Sequence, residues 1–269
     1  MADQPFTLPP GKPFHLKDFD PDDTGLYRDK ADAKAQTARN LDRLNALQEM
    51  LYAQGERALL IVLQAMDAGG KDGTIKTVMG AFNPQGVQVT SFKAPTEEEL
   101  AHDFLWRVHK AAPRRGMVGI FNRSHYEDVL VVRVKNLVLE SVWRRRYDHI
   151  NAFERLLADA GVTLVKFFLY ISKEEQAERL RARQTTASKQ WKFAPGDLEE
   201  RKRWDQYMAA FEEAMTRCNT EHAPWYVIPA NRKWYRNLAV SQILVETMEK
   251  MGLRYPDPIP DIESYAIPE

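Results

Sequence analysis

Leu59-Leu60-Ile61-Val62-Leu63 leads, through Gln64, into Ala65-Met66-Asp67-Ala68-Gly69-Gly70-Lys71-Asp72-Gly73-Thr74. An unbroken apolar run of this length reads as a strand covered on both faces. The glycine-rich turn and lysine that follow, and a helix expected over about Thr74–Phe82, complete a strand–turn–helix unit. Backbone N–H groups of such a turn form a concave anion site, to which the lysine adds a full charge. Glycine is needed there because a Cβ would block both the curvature and the approach of phosphate oxygens. Gly69, Gly70, Lys71, Asp72, Gly73, Thr74 and Lys76 are therefore the candidate phosphate-binding residues. The fit to the Walker A pattern G-x-x-x-x-G-K-S/T is imperfect: Ala65 replaces the first glycine, and Asp72 stands where Ser or Thr would ligate the metal. Another oxygen must then hold the cation. Asp67 is the first candidate and Thr74 the weaker one.

Working outward, the chain alternates strands and helices. Strands are expected at Val87–Phe92, Met117–Phe121, Leu164–Ile171 and Trp225–Ile228. Helices are expected at Tyr27–Gln54, where Leu41, Leu44, Leu47 and Leu51 make one face, and at Glu97–His109, Val142–Ala160, Lys173–Arg183, Leu198–Thr220 and Lys233–Met251. Gly55 is the stop signal of the first helix. Strands joined by helical crossovers imply a parallel sheet with helices on both faces, and ligands then sit beyond the carboxyl ends of the strands. Residues 1–26, with Pro5, Pro9, Pro10, Pro13 and Pro21, read as an irregular arm.

The 269 residues carry 38 Lys and Arg against 38 Asp and Glu, a formal net charge of zero. No nucleic-acid partner is expected, because a protein coating nucleic acid would carry a basic excess. Any polyanion site must be a local concentration of charge. The single cysteine, Cys218, fits a reducing, cytoplasmic setting. Met1–Lys17 lacks the apolar stretch of a secretory leader, and no run is long enough to span a bilayer. No cysteine pairs with a histidine at zinc-binding spacing, and no serine lies in a nucleophile elbow.

After the third strand comes Asn122-Arg123-Ser124-His125-Tyr126-Glu127-Asp128. Carboxylates at the end of a strand beside a phosphate turn are where phosphoryl-transfer enzymes place Mg²⁺. Arginine and histidine beside them suit a site that binds both metal and phosphate.

The two motifs together resemble the polyphosphate kinase 2 family, and the likeness extends from about Asp18 to the last helix. It implies a P-loop kinase fold like that of thymidylate kinase: an α/β domain over 1–269 with a five-stranded parallel sheet and a helical lid at about 181–204. It also implies transfer of a terminal phosphoryl group, reversible and Mg²⁺-dependent (Mn²⁺ as a substitute), from inorganic polyphosphate to AMP or ADP, with GMP and GDP as further acceptors. By carry-over, Asp67 and Asp128 hold the metal and, with Lys71 and Arg123, form the catalytic set. Arg123 and Arg133 match the family's phosphate-contacting arginines; His125, beside the motif carboxylates, and Arg183, in the lid stretch, are further candidates to contact phosphate. Glu127 selects the acceptor, the Gln64-Ala65 and Glu127-Asp128 pairs resembling the subgroup that uses both mono- and diphosphates. A homo-oligomer, dimer or tetramer, is expected. The rival readings are an ATP-dependent nucleoside monophosphate kinase and a non-catalytic nucleotide or polyphosphate sensor.

A polyphosphate channel needs several cations, and Lys71 and Lys76, Arg107, Lys110, Arg114 and Arg115, and Arg123, Arg133 and Lys135 could supply them. Arg144-Arg145-Arg146 points in three directions on a helix and reads as solvated or interfacial. The stretch Arg179–Arg203 is basic and polar in its middle, with Arg181, Arg183, Lys189 and Lys192 as lid cations. A mobile flap of this kind would close on phosphates and exclude water. Trp191 and Phe193 are candidates to stack on a base or pack the closed lid.

Overall fold

The computed structural model describes residues 6–268, so the first five residues of the arm and Glu269 lie outside it. The chain enters through a largely irregular segment whose Phe14 and Leu16 are buried. It then forms α1 (Lys30–Gln54), capped by the Asp29 side chain at one end and by Gly55 in the left-handed region (φ 65°) at the other. β1 (Ala58–Gln64) follows, buried along its whole length. Next come α2 (Lys71–Thr77), β2 (Val87–Ser91), α3 (Glu97–Ala101), α4 (Trp106–Ala111), β3 (Val118–Asn122), α5 (Val131–Val134) and α6 (Glu140–Asp159). β4 (Val162–Tyr170), α7 (Lys173–Thr185), α8 (Pro195–Lys202), α9 (Trp204–Cys218), β5 (Trp225–Pro229) and α10 (Lys233–Lys250) complete the order.

The five strands are all parallel, in the order β2-β3-β1-β4-β5. β1, first in sequence, is therefore central, as its apolar sequence requires. Its pairing with β3 sets Leu63 opposite Asn122, so the turn after β1 and the segment after β3 emerge side by side at the carboxyl edge. Helix α10 packs along α1, and α6 lies against β4. Among the described residues no helix is long and apolar enough to cross a membrane.

The five expected strands are present within a residue or two. Three helical expectations need correction. The expected helix Glu97–His109 is two pieces, because Asp103 accepts from the Leu105 amide (2.9 Å) and starts a new turn. The expected helix Leu198–Thr220 is also two, α8 and α9. They break at Arg203, whose backbone leaves helical geometry (φ −98°, ψ 21°) as Trp204 and Tyr207 turn inward. The helix expected over Thr74–Phe82 instead starts at Lys71 and ends at Thr77, and a separate 3₁₀ turn covers Met79–Ala81. The expected lid stretch is helical: residues Ala187–Lys192 form 3₁₀ turns packed on α7, and α8 begins with Pro195 at its first position.

Candidate active site

β1 ends in a turn that bends back on itself. The Gly69 amide donates to Met66 O (3.0 Å), Ala68 adopts φ 62°, and Gly70 adopts φ 110° at the start of α2. Lys71 is folded beneath this turn. Its Nζ donates to Ala65 O (2.9 Å) and Met66 O (3.4 Å), the first two carbonyls beyond β1. Burial, reinforced by the positive charge of Arg123 and opposed by Asp67 and Glu127, pulls its pKa down to about 8.

The second half of the site leaves β3. The Arg123 amide donates to Leu63 O (3.1 Å), continuing the β1–β3 ladder, while its φ of 62° swings the side chain across the sheet edge. Its guanidinium reaches Asp67 Oδ1 at 2.5 Å and Glu127 Oε2 at 3.5 Å. Burial works against that charge, but Glu127 and Asp67 outweigh it and raise the pKa of Arg123. Left-handed backbone at a non-glycine residue costs on the order of 1–2 kcal/mol; Ala68 and Arg123 both accept it, one on each side of the site. Asn122 Nδ2 donates to Asp72 Oδ1 (3.0 Å), tying the two loops together. Gln64 is fully buried at the end of β1 and pairs with Ser124; with its amide turned to suit its neighbours, its nitrogen meets Glu127 Oε1 at 3.1 Å.

Three cavities open along this edge. The first, about 410 Å³, is lined by Asp67, Gly70, Lys71, Asp72 and Gly73, by Lys93 and Asn122 from neighbouring strand ends, and by Arg123, Arg183 and Lys192. The second, about 260 Å³, joins Asp67, Arg123 and Glu127 to Lys135, Asp197, Glu200 and Tyr207. The third, about 560 Å³, has apolar walls of Phe92, Pro95, Leu100, Val131, Val132, Leu137 and Val138, with Arg107, Asp128 and Arg146 among its polar groups. Arg123 lines all three. Asp128 accepts from Arg146 Nη1 at 2.9 Å. Its pKa is pushed up to about 6, by burial first, against the pull of Arg146 and Arg107.

The structure brings together Asp67, Lys71, Arg123, Arg183 and Lys192 from the residues singled out in the sequence, with Asp72 also at the rim. Asp67 and Asp128 line no common cavity; the carboxylates that share one with Asp67 are Asp72 in the first and Glu127, Asp197 and Glu200 in the second, and Glu127 is the one of these that also lines the third cavity beside Asp128. Gly69 is buried within the turn and gives its carbonyl to Arg179. Thr74 is buried too: its amide closes the first helical bond to Gly70 O and its hydroxyl donates to the same oxygen (3.3 Å), so neither faces a cavity. His125 is fully buried, its Nε2 on Glu154 (3.1 Å), and cannot meet phosphate. Arg133 points to the far side of α5, where it pairs with Glu213 (2.6 Å) over the Trp143 ring. Lys76, Arg181 and Lys189 are exposed and line none of these cavities. Arg114 and Arg115 precede β3 and so lie at the opposite edge of the sheet. Trp191 is 78% exposed, with Lys192 Nζ 4.9 Å from its ring centroid.

Arg146, read from the sequence as solvated or interfacial, instead joins the site through Asp128. Lys93 and Asn122 had a usable signal, since they stand at or just beyond the carboxyl ends of β2 and β3, where such folds bind ligands. Tyr207 had none; its contact with Glu200 (2.5 Å) depends on the break between α8 and α9.

A sequence profile of the family Polyphosphate kinase 2 (PPK2) matches residues 27–256. An AMP/ADP-polyphosphate phosphotransferase of Meiothermus ruber is 57% identical over 254 residues, covering 94% of this chain and 95% of that protein. An ADP-polyphosphate phosphotransferase of Rhodopseudomonas palustris is 44% identical over 247 residues, covering 87% and 86%. Among solved structures, that of Polyphosphate Kinase 2 from Arthrobacter aurescens TC1 superimposes with a TM-score of 0.90 at 47% identity, covering 96% of this chain and 95% of that one.

Proposed function

The chain belongs to the polyphosphate kinase 2 family, and we propose that it transfers the terminal phosphoryl group of inorganic polyphosphate to AMP and ADP. The observation that carries this reading is Arg123 at the junction of three cavities, one cationic and one walled by apolar side chains. The first cavity offers Lys71, Lys93, Arg123, Arg183 and Lys192 to a chain of phosphates. The third offers an apolar enclosure the size of a nucleoside, with Arg107 and Arg146 available to its phosphate. Donor and acceptor then meet end to end at Arg123.

Phosphoryl transfer asks mostly for alignment and charge neutralisation. The attacking oxygen of a nucleotide phosphate is already anionic near neutral pH, so no strong general base is required. Asp67 and Glu127 hold the Arg123 guanidinium at the junction, and Asp128 holds Arg146 at the acceptor cavity. The oxygen donors at the junction, Asp67 with Glu127 near it, suit Mg²⁺, which binds through one or two carboxylates and completes its shell with substrate phosphates and water. Asp67 would hold Mg²⁺ (or Mn²⁺), which neutralises charge on the group in transit. Glu127, between the second and third cavities, is placed to influence which acceptor is accepted. The segment 181–204 serves as the lid: Arg183 is held by Asp197 (2.7 Å) and Lys192 lies 3.7 Å from Asp72 across the first cavity. Its closure would keep water from the donor.

The same reading makes 1–269 one kinase domain that acts in the cytoplasm as a homo-oligomer, on guanine as well as adenine nucleotides. Purified protein given AMP, Mg²⁺ and long-chain polyphosphate, with no ATP, should form ADP and then ATP. Product formed only when ATP is the donor would establish the nucleoside monophosphate kinase instead, and no turnover with either donor would leave a sensor.

A further inference from the structure

Arg236, on the first turn of α10, passes behind the phosphate turn. It is 3% exposed, yet no carboxylate among the described residues lies within ion-pair distance of it. Its Nε and Nη2 donate to the side-chain oxygen of the adjacent Asn237 (3.1 and 2.8 Å), and Nη1 donates to no described residue. A Cβ on Gly70 would overlap Nη1, and one on Gly73 would meet Nη2 at 3.1 Å. The two glycines that line the first cavity thus have this guanidinium directly at their backs. Its charged neighbour is another cation, Arg179, whose donors are already spent on Ala68 O, Gly69 O, Ala230 O, Asn231 O and Glu175. Burial, with Arg179 adding to it, pulls the pKa of Arg236 down to about 10, and it remains charged at neutral pH.

A buried cation without a counter-ion costs stability, and an apolar side chain of similar volume would relieve that cost. Its cost is offset if the missing counter-charge arrives with a ligand. We propose that Arg236 is a positioning residue for the donor, setting the potential of the first cavity through the gap that Gly70 and Gly73 leave open. The inference rests on the donor occupying that cavity. Arg236 touches no substrate atom; it acts through the turn in front of it, and the phosphate chain supplies the negative charge that the protein withholds.

The test compares Arg236→Met, Arg236→Gln and Arg236→Lys with the parent protein and with Lys71→Met. Thermal midpoint, KM for long-chain polyphosphate and for AMP, and calorimetric binding of inorganic tripolyphosphate are the readouts. The expected result for Arg236→Met is an unchanged or higher midpoint, a polyphosphate KM and tripolyphosphate Kd raised on the order of tenfold, and an unchanged KM for AMP. Arg236→Lys should recover most of the donor affinity, and Arg236→Gln should resemble Met in donor affinity. A lower midpoint with donor affinity intact in both neutral variants, or lysine no better than methionine, would overturn the inference. If Lys71→Met weakens tripolyphosphate binding while Arg236→Met does not, only this inference fails; if neither does, the placement of the donor fails with it.

Discussion

His125, Tyr126, Glu127 and Asp128 are consecutive residues of one 3₁₀ turn, and they feed two charged clusters of opposite character. The first pair faces inward. Glu154 takes His125 Nε2 (3.1 Å) and the Tyr126 hydroxyl (2.9 Å) on one oxygen and Lys166 Nζ (2.6 Å) on the other, and Lys166 also donates to Tyr126 and to Cys218 O. All four side chains are fully buried. Burial alone would raise the pKa of Glu154, but Lys166 and His125 reverse the sign and lower it. The second pair faces the cavities, where Lys71 and Asp128 are displaced toward their neutral forms by burial that their partners do not fully offset. The interior cluster satisfies its charges within the protein. The site leaves part of that task to substrate, and the same short turn holds the two in register.

Breaking the interior cluster should have the largest effect. Glu154→Ala leaves Lys166 buried and unpaired, for an expected loss of about 3–5 kcal/mol of stability in denaturant melts. A loss below about 1 kcal/mol would show that the cluster is no better matched than the site. Lys71→Met should behave in the reverse sense. Activity with polyphosphate should fall about 10²–10³-fold, while the thermal midpoint holds or rises, because a desolvated cation has been removed. A midpoint that falls with the activity would place Lys71 among the structural residues.

The smallest effect is the dependence on pH. On the proposed reading, Lys71 must be charged to meet phosphate, and Asp128 must be ionised to hold Arg146. The rate with polyphosphate should decline as pH falls through about 6 and as it rises through about 8. Stability runs the other way. The folded state disfavours protonated Lys71, so stability rises as pH climbs from about 8 toward 10.5. It favours protonated Asp128, so stability falls as pH climbs from 3.8 toward about 6. A rate profile flat from pH 5 to 9 would remove the distinction between the clusters.

The strands were legible because their apolar runs are unambiguous, and the phosphate turn because glycines and lysine follow the first of them. The split within His125–Asp128 was not. In a 3₁₀ turn each residue points about a third of a revolution from the last, and nothing in the letters says which direction is interior. His125 therefore reads as a phosphate contact in the sequence alone, while its partner Glu154 lies on α6 and Lys166 on β4. Arg133 and Arg146 illustrate the same limit. Both are arginines on helices, and only the packing of α5 and α6 decides that Arg146 meets Asp128 while Arg133 turns to Glu213. The helical breaks at His102 and Arg203 were hidden because local capping and tertiary packing decide them more than propensity.

The central claim is that two anions meet at Arg123. A crystal structure with an adenosine 5′-oligophosphate, which links acceptor and donor in one molecule, tests it most directly. The phosphate chain should run from Lys71 and Arg183 past Arg123, with the nucleoside between Phe92 and Val138. A chain that bypasses Arg123, or a base seated on the phosphate turn, would contradict the account.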